Sequence, residues 1–71
     1  MDTKKTDSVI AGNMKKYRNQ CGYSQAKLSE VSGVTYNTII KIESGANQNP
    51  TIDTLTKIAK ALGVGVDDLI K

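Results

Sequence analysis

Asn37 and Lys41 are four residues apart, so in a helix they lie one turn apart on the same side. The amide of Asn37 can donate and accept together, which matches the major-groove edge of adenine, and the ammonium of Lys41 can donate to guanine O6 and N7 or to a phosphate. Beside them Tyr36 offers a ring for a thymine methyl and a hydroxyl for a phosphate. Thr38 offers a smaller hydroxyl. Ile40 is the oddity, an apolar β-branched residue on a polar helix, and it fits a thymine methyl. For Tyr36 and Ile40 a second reading stays open: packing against the preceding helix, the following loop or a polypeptide partner. All five are side chains that recognise a surface rather than break a bond.

The rest of the inventory argues the same way. The chain has no His and one Cys, and its adjacent acids, Asp67 and Asp68, fit the first turn of a helix better than a catalytic pair. Cys21 excludes an internal disulfide, lacks the spacing of a zinc site and reads as a small core residue. No catalysis, metal or cofactor is expected. No apolar run is long enough to span a membrane and the first residues do not resemble a signal peptide, so the expected compartment is the cytoplasm, at the nucleoid when DNA is bound.

The net charge is +3, and its distribution says more than its size. From residue 8 to residue 42 Glu30 is the one acid, against Lys15, Lys16, Arg18, Lys27 and Lys41. From residue 43 onward Glu43, Asp53, Asp67 and Asp68 slightly outnumber Lys57, Lys60 and Lys71. The basic half is the half that holds Asn37 and Lys41, as a phosphate-facing surface requires.

Short helices must position these residues. Residues 1–7 are polar and without apolar periodicity, and read as a flexible arm preceding a single domain over 8–71. Ile10, Met14, Tyr17 and Cys21 form the stripe of a first helix, with Ser8 as its cap. Ser24 caps a second, with Leu28 and Val31 turned inward and Gly33 ending it in a left-handed turn. Thr35 caps a third, running to about Ser44, whose inner side is set by Ile39 and Ile42. Asn37 and Lys41 then lie opposite. After a loop of turn formers, Pro50 and Thr51 open a fourth helix with Ile52, Leu55, Ile58, Ala59 and Leu62 apolar. Gly63 ends it, and the VDDLI segment forms a fifth. The predicted fold is all-α, a compact bundle of five helices.

The succession MKKYR at 14–18, SQAKLSEVSGVT at 24–35, IxxIExG at 39–45 and NPTIDTLTKIAKALGV at 49–64 resembles the Cro and phage-repressor class of helix-turn-helix proteins. Two positions depart from the pattern. Ser29 stands where Ala is commoner, tolerable if its hydroxyl bonds a carbonyl one turn back, and Gly65 replaces a Ser or Thr cap before the last helix.

The resemblance implies a lambda-repressor-like fold, with a helix-turn-helix made by helices two and three. Helix two then lies across the DNA backbone while helix three enters the major groove. Tyr36, Asn37, Thr38, Ile40 and Lys41 become base readers. Gln25, Lys27, Thr35, Asn47, Gln48 and Asn49 become phosphate contacts, helped by free backbone amides at the start of helix two. Arg18 and Glu43 are implied to form a partly buried ion pair that ties the first helix to the third. The leading reading is a sequence-specific regulator of transcription, a repressor that binds a double-stranded operator as a homodimer. Its dimer surface would be the last helix, through Val66, Leu69 and Ile70, or the loop after helix three, with at least two of those three apolar residues expected instead to close the monomer core. The competing reading is an antitoxin-like or adaptor module that holds a polypeptide on the same fold.

Overall fold

Hydroxyl caps set where the central helices begin. Ser24 Oγ accepts from the Lys27 N–H at 3.0 Å, Thr35 Oγ1 from Thr38 at 3.3 Å and Thr51 Oγ1 from Thr54 at 3.1 Å. Each bond satisfies a backbone donor that has no partner inside its own helix. The computed structural model describes residues 9–71, so the expected arm over 1–7 and the expected cap Ser8 lie outside it. Five helices follow: α1 Val9–Cys21, α2 Gln25–Ser32, α3 Tyr36–Glu43, α4 Ile52–Leu62 and α5 Val66–Ile70. The described residues contain no strand, and none of their helices is long and apolar enough to cross a membrane.

Gly33 makes the turn between α2 and α3. Its φ of 77° is left-handed, and its N–H donates to the Ser29 carbonyl at 2.9 Å, closing the end of α2. A Cβ at Gly33 would meet nothing within 4 Å. Glycine is therefore favoured there by backbone conformation and not by lack of space.

The core is one cluster, Met14, Leu28, Val34, Ile39, Ile42, Leu55, Ile58, Ala59, Leu62 and Leu69. It draws on every helix. α1 packs on α3, α4 and α5, while α2 packs on α3 and α4. The Asn13 amide donates to the Leu69 carbonyl at 2.9 Å and fastens α5 to α1. In α5, Leu69 is fully buried and Val66 packs against the core, so both close the monomer, whereas Ile70 is exposed.

Several sequence expectations are corrected here. Val31 points outward, 44% exposed. The inner stripe of α2 is Gln25, Leu28, Ser29 and Ser32, a regular helical spacing filled mostly by polar residues, and it turns Val31 away. Ser29 bonds forward, donating to the Val34 carbonyl at 2.6 Å, because the turn at Gly33 brings that carbonyl back over the helix end. Cys21 is exposed at the rim, where its thiol donates to the Leu62 carbonyl at 3.6 Å, an acceptor freed by the end of α4. Ile52 opens α4 beyond the edge of the core and is 69% exposed.

Candidate nucleic-acid interface

With eight residues, α3 shows two distinct sides. Ile39, Ile42 and Glu43 are buried. At about 100° per residue, Asn37 and Lys41 project from the opposite side, with Tyr36 and Ile40 together on one flank and Thr38 on the other. Asn37 and Lys41 are exposed. Among the described residues, neither side chain makes a hydrogen bond or ion pair. Tyr36 is 49% exposed. Ile40 is half-buried rather than exposed as its place in a polar helix suggested, and Tyr36 is its neighbour one turn back.

Thr38 is half-buried, and its hydroxyl lies 2.8 Å from the Thr35 hydroxyl. Thr35 therefore handles both the backbone and the side chain of Thr38, and Thr38 is directed toward the cap. The structure thus places Thr38 apart from the open face that Asn37 and Lys41 share.

The inner end of α3 carries a closed polar cluster. Arg18 meets Glu43 fork to fork, Nε to Oε2 at 2.8 Å and Nη2 to Oε1 at 3.1 Å, while Arg18 Nη1 donates to the Tyr23 carbonyl at 2.9 Å. Glu43 is only 3% exposed. Such a pairing is geometrically specific, and its loss on one side would leave a charge in poor solvent. Gln25 joins it, Nε2 donating to Glu43 Oε1 at 3.0 Å. The amide nitrogen has two hydrogens, so one remains for another acceptor.

The remaining candidates sit around this frame. Lys27 is exposed at the head of α2 and lies 3.8 Å from Glu30, a surface pair of little energetic weight that leaves the ammonium available. In the loop after α3, the Asn47 N–H donates to the Lys41 carbonyl at 2.9 Å and folds the loop back on the helix end. Asn47 Oδ1 accepts from the Asn49 N–H at 3.0 Å, and Gln48 Nε2 donates to the Gly45 carbonyl at 3.3 Å. These bonds shape the loop, with the Asn49 side chain outside them.

Ser32 was not singled out in the sequence, and Ser29 was assigned a bond one turn back rather than forward across the turn. Ser32 Oγ accepts from the Val34 N–H at 3.1 Å, so both serines hold the turn between α2 and α3. Their signal was positional: with Gln25 and Leu28 they complete the inner stripe of α2.

Two short helices joined by a left-handed glycine turn, the second with one side in the core and the other open, define a helix-turn-helix module. The sequence profile of the Helix-turn-helix family matches residues 14–69, and the chain belongs to that family, in its Cro/C1-type class of DNA-binding domains. It is 36% identical over 62 residues to the HTH-type transcriptional regulator SinR of Bacillus subtilis (strain 168), covering 87% of this chain and 56% of SinR. Control protein C.SmaI of Serratia marcescens is 37% identical over 62 residues, covering 87% of this chain and 73% of C.SmaI. The uncharacterized HTH-type transcriptional regulator YgzD of Bacillus subtilis (strain 168) is 39% identical over 60 residues, covering 84% of this chain and 89% of YgzD. The chain spans a little over half the length of SinR. No solved structure gives a significant match.

Proposed function

We propose that residues 8–71 form the DNA-binding unit of a transcriptional regulator that represses by occupying an operator, with α3 in the major groove. The observation that carries this reading is the open side of α3. Asn37 and Lys41 are exposed together, without intramolecular partners among the described residues, on a helix whose other side is locked into the core. Asn37 reads adenine, and Lys41 reads guanine or a phosphate. Tyr36, with Ile40 against its flank, meets a thymine methyl.

Phosphate contacts frame that readout. Gln25, the free backbone N–H groups at the head of α2 and Lys27 hold one strand, and Thr35 and the Asn47–Gln48–Asn49 loop hold the backbone near α3. One such module covers too little DNA for useful specificity, so two copies bind half-sites about one helical turn apart.

Equilibrium binding to duplex DNA over a range of salt concentrations tests this directly. Neutralising several phosphates releases counterions, so affinity falls steeply and linearly on a log-log plot. A polypeptide held by Tyr36 and Ile40 would bind with little dependence on salt. Salt-insensitive binding, or no binding to duplex at low salt, contradicts the proposal.

A further inference from the structure

Glu43 is the one buried acidic residue among those described, and its two oxygens accept three hydrogen bonds, from Arg18 Nε, Arg18 Nη2 and Gln25 Nε2. Arg18 also holds the Tyr23 carbonyl. One cluster thereby joins α1, the turn before α2, the first residue of α2 and the last residue of α3. No fully buried side-chain nitrogen or oxygen among the described residues lacks a partner.

A carboxylate can only accept, which decides how the Gln25 amide lies. Nε2 must face Glu43, so the direction of its second hydrogen is fixed along with that of Oε1. Without this acceptor the amide could turn over and present oxygen where nitrogen now stands. The residue that holds Gln25 also ends α3, so the same contact sets the distance between the head of α2 and the open side of α3.

We propose that Glu43 is a positioning residue for DNA binding: it holds Gln25 so that the second amide hydrogen meets a phosphate oxygen, and it keeps that anchor in register with Asn37 and Lys41. The inference rests on the DNA-binding reading above. It gives the buried ion pair a part in recognition as well as in folding.

The test titrates the parent, Glu43→Gln, Gln25→Ala and the double variant against one duplex, at a temperature where circular dichroism shows each to be folded. Gln at position 43 keeps the size but has one acceptor oxygen in place of two. Positioning predicts that Glu43→Gln weakens binding about threefold to tenfold, the effect of one hydrogen bond. The slope against salt stays that of the parent, because no cation is lost. In the Gln25→Ala background Glu43→Gln adds little. Losses that multiply in the double variant mean that Glu43 serves only the fold, and overturn the proposal. A parent that binds no duplex overturns the DNA-binding reading and this proposal with it, a result distinct from multiplying losses.

If Glu43→Gln does not fold, nuclear magnetic resonance of the parent decides. The two Gln25 side-chain amide protons should be resolved, one shifted downfield by the carboxylate, and the other should move when duplex is added. A Gln25 amide unaffected by duplex overturns the proposal.

Discussion

The two sides of α3 carry polar side chains in opposite states. On the inner side Glu43 is almost fully buried and accepts three bonds, two from Arg18 and one from Gln25. On the open side Asn37 and Lys41 stand in water without intramolecular partners among the described residues. Polar groups held inside must be satisfied by the chain itself, whereas those outside are satisfied by water and can exchange it for another partner. The inner side thus makes α3 a fixed platform, and the open side is what the platform presents.

Damage to the platform should have the largest effect. Ile42→Ala removes a fully buried side chain from the centre of the core and should cost about 2–5 kcal/mol, with a marked fall in melting temperature and loss of DNA binding through unfolding. If Ile42→Ala melts like the parent, α3 is not held as described.

Arg18→Met comes next. It leaves Glu43 buried with Gln25 as its remaining partner and should cost about 3 kcal/mol, read by thermal or denaturant unfolding. Adding Glu43→Leu should restore much of the loss, because an apolar pair of similar size avoids the burial of an unpaired charge. A double variant no more stable than Arg18→Met would show that the ion pair does more for stability than its geometry implies.

Outside the platform the effect on stability should be smallest. Ile52→Gln should change stability by no more than about 0.5 kcal/mol, since its side chain meets mostly solvent. A loss comparable to that of Ile42→Ala would place Ile52 in an interface, most simply between two copies of the chain.

The helix order, the caps at Ser24 and Thr35, the opening of α4 at Pro50 and Thr51 and the inner side of α3 were legible in the sequence, because each follows from local rules of spacing and capping. The inner side of α2 was not. Its stripe holds Gln25, Ser29 and Ser32, and a search for apolar residues chose Val31 in their place. Only the fold supplies the partners that make those polar positions tolerable: Glu43 from α3 and the Val34 backbone past the turn. Cys21 and Ile52 failed for a related reason. Both continue an apolar stripe correctly, but the stripe runs past the edge of the core, and where a core ends is a tertiary fact. For the interface, the opposition of Asn37 and Lys41 to Ile39 and Ile42 was readable from helical angles. The engagement of Thr38 with its cap, and of Gln25 with Glu43, was not.

The most direct measurement selects bound sequences from random duplexes with the parent, Asn37→Ala and Lys41→Ala, and compares their affinities for the parent's preferred site. The parent should select a defined site. Each variant should melt within about 0.5 kcal/mol of the parent's stability, and Asn37→Ala should lose about 1–3 kcal/mol of discrimination at one base pair. If both variants select the parent's site with undiminished affinity, the open side of α3 does not read DNA.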